Sequence, residues 1–209
     1  IKNPLTPIQL MAERIQHKFS KKLNKEDSGV LDKSTTTIVK QVNALKVMVN
    51  EFSEYSRIPK IQKHKLDIKQ LLEEVVDLYT NKSFLITLNL KKDSIFIEAD
   101  ENKLRQVLIN IFDNAKDALR NIENPQVMVE LELKINKVVI VIKDNGIGIP
   151  KNIINRIFEP YVTSKDNGTG LGLAIVKKII EEHNGTIIIK NLVKIGVKIT
   201  IMLPTKNLN

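Results

Sequence analysis

Two amides, one carboxylate and a cluster of glycines are the residues in this sequence best suited to hold a charged ligand. Asn110 and Asn114 are four positions apart. On a helix that spacing turns both side chains to one spot, and an amide oxygen is a hard, neutral donor suited to Mg²⁺ and to a phosphate-bearing site. A pair of solvent-facing asparagines explains this spacing equally well. Asp144-Asn145-Gly146-Ile147-Gly148-Ile149-Pro150 follows directly on an apolar run. Its carboxylate can accept a hydrogen bond from an amino group such as that of adenine, and its glycines let backbone come close to a flat ligand. An ordinary Asn-Gly turn is the competing reading. Gly168-Thr169-Gly170-Leu171-Gly172-Leu173 stands just before an expected helix, where exposed N–H groups and the positive end of the helix dipole favour anions. Taken together, amides for a metal, a carboxylate for a base and a glycine loop for phosphates describe a nucleotide site. Lys165, at the end of Phe158-Glu-Pro-Tyr-Val-Thr-Ser-Lys165, ends a run that looks like a mobile cover, and it can reach the phosphates as a point charge.

The elements that must position these groups follow from periodicity. Ile1, Leu5, Ile8, Ala12, Ile15 and Phe19 form one apolar stripe, and Leu31, Thr35, Ile38, Val42, Leu45, Val49 and Phe52 a second. Gaps of four and three mark the seam of a helical bundle. The polar break is placed at Asn24–Gly29, giving an antiparallel hairpin over roughly residues 1 to 57. One hairpin buries such a seam poorly, so a second copy forming a symmetric four-helix bundle is expected; packing against the rest of the same chain is the alternative. Pro4 suits a first helical turn. Pro7 sits further in, where a proline costs ~3 kcal/mol, and suggests a bend near a working site.

Arg57 to Lys65 reads as a linker, and the domains are divided at 1–59 and 60–209. Beyond it the pattern predicts a helix at Leu71–Leu78 and strands at Leu85–Leu90 and Ile95–Ala99. Asp100 is a candidate N-cap for a long helix carrying Asn110 and Asn114. Strands follow at Val127–Leu133 and Val138–Ile142 with a turn at Ile135-Asn136-Lys137. A short helix is expected at Ile153–Phe158 and another at Leu171–Glu182. The final strands, Thr186–Ile189 and Val197–Leu203, join near Gly196. The predicted class is α+β, a mixed sheet with helices packed on one face.

Composition excludes several alternatives. Hydrophobic residues are 42% and charged residues 27% of the 209, the balance of a soluble globular protein. With no cysteine there is no disulfide framework and no thiolate metal site. His17, His64 and His183 have no ligand spacing and read as surface or packing residues. No apolar run reaches the ~18 residues of a membrane helix, and no signal peptide opens the chain. The net charge of +9 is spread along the chain and aromatics are only 4%, so nucleic acid is not expected as a partner. No P-loop and no dinucleotide fingerprint is present.

The order of these motifs resembles the sensor histidine kinases of two-component systems. Gln106-Val-Leu-Ile-Asn-Ile-Phe-Asp-Asn-Ala115 is similar to their N box, Asp144–Pro150 to G1, Phe158-Glu-Pro-Tyr161 to the F box and Gly168–Leu173 to G2. Ile1-Lys-Asn-Pro-Leu-Thr-Pro-Ile8 looks like the tail of an H box, particularly of NtrY-like nitrogen-regulation sensors. The resemblance implies a Bergerat-type ATP-binding sandwich tethered to a dimeric helical hairpin. It implies ATP and Mg²⁺ as cofactors, with Asn114 ligating Mg²⁺ and Asn110 supporting the same site. Asp144 holds adenine, and Gly146, Gly148 and Ile149 line its pocket. Thr169, Gly170, Leu171 and Gly172, with Gly168, form the phosphate loop of a lid anchored by Phe158. Asp117 and Lys165 complete the implied ATP contacts.

The resemblance further places the phosphoacceptor histidine two positions upstream of Ile1, so this chain should bind ATP without phosphorylating itself. Asn110 stands where hydrolytic relatives carry a glutamate, so water attack should be slow. The γ-phosphoryl then goes to histidine and on to an aspartate of a response-regulator receiver, NtrX-like by the same resemblance. Asn3 lies where an amide can orient water for dephosphorylating that receiver. The parent protein is expected in the inner membrane with this part soluble on its cytoplasmic side, reaching the membrane only through N-terminal regions outside this sequence. One departure is that many members carry lysine at the position of Asp117, whereas here Lys116 is the lysine, about 100° away around the helix. An ATP-gated clamp and a catalytically silent scaffold are the rival readings.

Overall fold

Alternating gaps of three and four in the first 56 residues produce two helices, α1 (Lys2–Phe19) and α2 (Lys25–Ser56). The computed structural model describes residues 2–56, 61–80, 84–90, 93–165, 168–193 and 195–205, which fall into two units, Ile1–Arg57 and Ile58–Asn209. α1 continues through Pro7 without a break in its helical assignment. The inter-helix break is shorter and earlier than expected. Asn24 Oδ1 accepts the N–H of Asp27 at 2.9 Å and caps α2, so Gly29 is a helical residue in open space.

The hairpin is antiparallel, with Gln9 bonded by Lys46 at 2.6 Å and Gln16 donating to Asp32 at 3.2 Å. Leu5, Ala12, Thr35 and Val42 are buried between the helices. Ile8, Ile15, Phe19, Ile38, Leu45 and Phe52 keep 41–50% of their surface exposed. The apolar stripe is therefore only half used by the contact of α1 with α2.

The second unit begins with β1 (His64–Asp67), a strand that starts in the last two residues of the stretch read as a linker, while Arg57–Lys60 lie outside the described residues. Asp67 ends that strand and caps α3 (Ile68–Asp77), its Oδ1 accepting the Lys69 N–H at 3.0 Å. That cap starts the helix three residues before the expected Leu71. Strands β2 (Leu85–Leu90) and β3 (Phe96–Ala99) precede α4 (Glu101–Ala118). Then come β4 (Gln126–Lys134), β5 (Lys137–Asp144), α5 (Gly172–Glu182), β6 (Thr186–Asn191) and β7 (Val197–Pro204). The helix expected at Ile153–Phe158 is a single 3₁₀ turn, Ile154–Arg156, flanked by turns.

The large sheet has the order β2-β4-β5-β7-β6, with β2 and β4 parallel and the other pairs antiparallel; β1 pairs with β3 separately. Its register stacks Val129, Ile142 and Ile199 in one row and Leu131, Ile140 and Ile201 in the next. These residues are buried along with Leu104, Leu108, Ile111 and Phe112 of α4 and Ile175, Ile179 and Ile180 of α5. Since side chains alternate across a strand, the inward row Val138, Ile140 and Ile142 runs on to Asp144. The sheet thus delivers one carboxylate to the end of its apolar face.

Candidate functional site

Helix α4 is the wall on which the site is built. Asp100 fixes its start, Oδ1 accepting the Lys103 N–H at 3.1 Å and Oδ2 that of Gln62 at 3.0 Å. The Asp100 N–H donates to Nε2 of His183 at 3.0 Å. Because that nitrogen accepts, the proton sits on Nδ1, which lies 2.8 Å from the Ile179 carbonyl. His183 is 2% exposed, and burial holds its pKa below the ordinary histidine value. It is a packing histidine that locks the end of α5 to the start of α4.

Asn110, Asn114, Asp117 and Ala118 follow one another along one face of α4. At one end, a Cβ on Gly172 would stand 3.3 Å from Asn110 Oδ1, so this amide lies against the first turn of α5. In the middle, Lys165 Nζ donates to Asn114 Oδ1 and to Asp117 Oδ2, each at 2.7 Å. That hydrogen bond holds the Asp117 carboxyl below the usual carboxylate range. At the far end the Ala118 carbonyl accepts the Ile147 N–H at 3.2 Å, and a Cβ on Gly146 would meet Ala118 Cβ at 2.8 Å. Lys116 is exposed and points off this face.

Asp144 is 7% exposed. Its Oδ1 accepts the N–H groups of Gly146 at 2.9 Å and Val197 at 3.3 Å. Burial pushes its pKa up, opposed by those two N–H groups. Gly196 (φ +99°) is pressed onto the Asp144 carbonyl so closely that no side chain fits there.

Two asparagines missed by motif reading hold the glycine turn. Asn145 Oδ1 accepts the Gln126 N–H at 2.7 Å and its Nδ2 donates to the Asn124 carbonyl at 3.0 Å. Asn191, at the end of β6, accepts the Ile149 N–H at 2.9 Å and donates to its carbonyl at 2.7 Å. A Cβ on Gly148 (φ +78°) would stand 3.3 Å from that amide. The Asn-Gly dipeptide signals the first clamp; nothing near position 191 signals the second.

The cover is tied down at several points. The Tyr161 N–H donates to the Gly170 carbonyl at 3.1 Å, and Gly170 (φ +70°) has no room for a side chain against Tyr161. Thr163 Oγ1 accepts the Lys165 N–H at 3.0 Å, and Thr169 Oγ1 the Leu171 N–H at 3.3 Å. Leu171 is fully buried. Phe158 is half-buried, with Lys177 of α5 over its ring at 5.5 Å, while its neighbour Ile157 is buried in the core. Asn3 falls in the first turn of α1, with its side chain outside what is described.

Asn114 and Asp117 present oxygen donors of the type that hard divalent cations take, so their chemistry fits an Mg²⁺ ion. Among the described residues no three His, Cys, Asp or Glu side chains converge on a metal position. Such an ion would therefore complete its shell with water or with phosphate oxygens of a ligand.

Comparison with known proteins follows the same lines. Residues 99–207 match the family model described as histidine kinase-, DNA gyrase B-, and HSP90-like ATPase. A sensor histidine kinase of Rickettsia typhi, described as NtrY-like, is 33% identical over 100% of this chain and 35% of its own length. Full-length ShkA, solved in complex with AMPPNP, superposes with a TM-score of 0.74 at 25% identity, covering 97% of this chain and 43% of ShkA. Histidine kinase ThkA, solved in complex with response regulator protein TrrA, gives a TM-score of 0.70 at 29% identity, covering 98% of this chain and 58% of ThkA. The chain spans about a third of the curated relative's length.

Proposed function

This chain belongs to the histidine kinase-, DNA gyrase B- and HSP90-like ATPase family, and from that membership we propose that it is the kinase core of a two-component sensor. The reading rests on one observation above the others. A single face of α4 lines up Asn110 at the start of α5, Asn114 at Lys165 and Ala118 at the Asp144 turn.

In this reading Asp144 Oδ2 accepts the adenine amino group, and Gly146, Gly148 and Ile149, held by Asn145 and Asn191, form the walls of the base pocket. Asn114 Oδ1 holds Mg²⁺, with Asn110 beside it. An ion held there would supply neutralisation of the phosphates' negative charge. The N–H groups at the start of α5 and the Lys165 ammonium face the triphosphate. Thr169, Gly170, Leu171 and Gly172 shape the loop that covers it, with Phe158 as its anchor on α5. Asn110 has an amide where a hydrolytic enzyme needs a base, so it does not take a proton from water. The γ-phosphoryl instead passes to an imidazole nitrogen: an N–P bond forms as the bond to ADP breaks. A second transfer carries it to an aspartate of a receiver domain, NtrX-like by the NtrY likeness; ThkA's complex with TrrA supports a partner of that class. Asn3 then has its place as the amide that orients water during receiver dephosphorylation.

The exposed stripe of α1 and α2 supports a reading of residues 1–59 as the dimerisation and phosphotransfer hairpin, covered by a second copy, with 60–209 as the catalytic domain. Among the described residues no helix is long and apolar enough to cross a membrane. The NtrY likeness supports an inner-membrane parent with this core on its cytoplasmic side.

Fluorescent ATP titration tests the reading. Wild-type chain should bind ATP more tightly with Mg²⁺ than with EDTA, and Asp144→Asn should weaken binding by at least about tenfold, the loss of one charge-assisted buried hydrogen bond. A folded chain indifferent to adenine nucleotides would remove the proposal. Rapid ATP hydrolysis without a partner would remove the role given to Asn110.

A further inference from the structure

Lys165 makes a contact that the proposed function leaves unexplained. Its ammonium is 2.7 Å from both Asn114 Oδ1 and Asp117 Oδ2, across 51 and 48 residues of chain respectively. Its backbone is held on both sides: its N–H donates to Thr163 Oγ1 at 3.0 Å, and its carbonyl accepts the Gly168 N–H at 3.1 Å. Arg120 takes the other oxygen of Asp117, Oδ1, at 3.0 Å, so Oδ2 is directed to Lys165 alone of these two cations. A positive group from the cover thus rests on the two oxygens of α4 that best suit a divalent ion.

We propose that Asn114 and Asp117 together form the divalent-cation seat, and that Lys165 is a tethered stand-in that fills it until the ion arrives. The inference deepens the nucleotide reading and rests on it. An ammonium and a divalent cation repel each other and compete for the same lone pairs, so one seat cannot hold both. Entry of the ion releases Lys165, and the nearest strong anion is then the triphosphate that comes with the metal. Metal loading and recruitment of the cover's positive charge become one exchange. The departure of Asp117 from the lysine common in the family acquires a physical sense here. The helix supplies the extra negative charge, and the lysine is carried on a flexible side chain from a different segment.

Mn²⁺ binding to the nucleotide-free chain, read by electron paramagnetic resonance at low ionic strength, tests this without any turnover. Lys165→Gln removes the competitor and should tighten Mn²⁺ by roughly three- to fivefold, the scale of one exposed ion pair. Lys165→Arg keeps a cation and should not tighten it. Asp117→Asn should weaken Mn²⁺ at least about tenfold. With ATP added, Lys165→Gln should reverse sign and bind the triphosphate less well than wild type. Unchanged Mn²⁺ affinity in Lys165→Gln, or wild-type affinity in Asp117→Asn, overturns the exchange. ATP binding in the presence of Mg²⁺ is measured alongside: its absence from folded wild type would sink the nucleotide reading, while the metal series still decides whether Lys165 guards the seat.

Discussion

Between α1 and α2 the facing positions include Gln9, Gln16, Asp32 and Lys46, whereas between the sheet and helices of the second unit the inward positions of β4 and β5 are apolar from Val127 to Ile142. The hairpin buries Leu5, Ala12, Thr35 and Val42, flanks them with polar pairs, and leaves a row of six large apolar residues 41–50% exposed. The α/β unit does the reverse: its core is closed, and among the described residues its buried polar groups, Asp144, His183 and the Tyr79 hydroxyl, are hydrogen-bonded. A region that completes its own core stores stability in itself. A regular apolar stripe left exposed is the kind of surface that the proposed second copy would cover.

Phe112→Ala is the strongest test of the closed core. Phe112 is fully buried and stacks on Tyr79 at 5.2 Å. Its truncation should cost about 3–5 kcal/mol in urea unfolding of the α/β unit; a loss below ~1 kcal/mol would show that this core is not close-packed. Leu45→Lys probes the open stripe of the hairpin. A charge forced into that interface should weaken self-association by roughly thirtyfold, about 2 kcal/mol, in sedimentation equilibrium, with ATP affinity unchanged. If the variant associates like wild type, the stripe is not the contact surface.

The smallest effect is in pH. His183 is held neutral, its pKa below 6.5 in the folded chain. Above that value both states are neutral and the contribution is complete. Below it the unfolded chain takes up a proton first, so stability falls as pH drops, by up to ~1.4 kcal/mol per unit. Melting of the α/β unit between pH 7.5 and 5.5 should show this decline. A flat profile would mean that His183 is not locked against Asp100.

Period-two and period-3.6 patterns made the large elements legible. β2 is found at the expected residues, and β4, β5, α4 and α5 within one or two. Misreadings cluster where pattern is weak. Asp67 caps α3 from two residues beyond the charged stretch that reads as a linker, and the four residues of β1 are too few to show alternation. The segment at Ile153–Phe158 has the apolar content of a helix but is interrupted by turns, leaving only Ile154–Arg156 in a 3₁₀ turn.

Residue types and their spacing determined by themselves which groups share a face of α4, because a helix repeats every 3.6 residues whatever surrounds it. They also determined that Asp144 continues an inward row, because side chains alternate along a strand. Only tertiary structure decided that Lys165 lands between Asn114 and Asp117, that Asn191 grips both sides of Ile149, and that His183 holds the N–H of Asp100. Those contacts join residues 42 to 83 positions apart. Local periodicity carries no information over such separations; sheet order and helix packing set them.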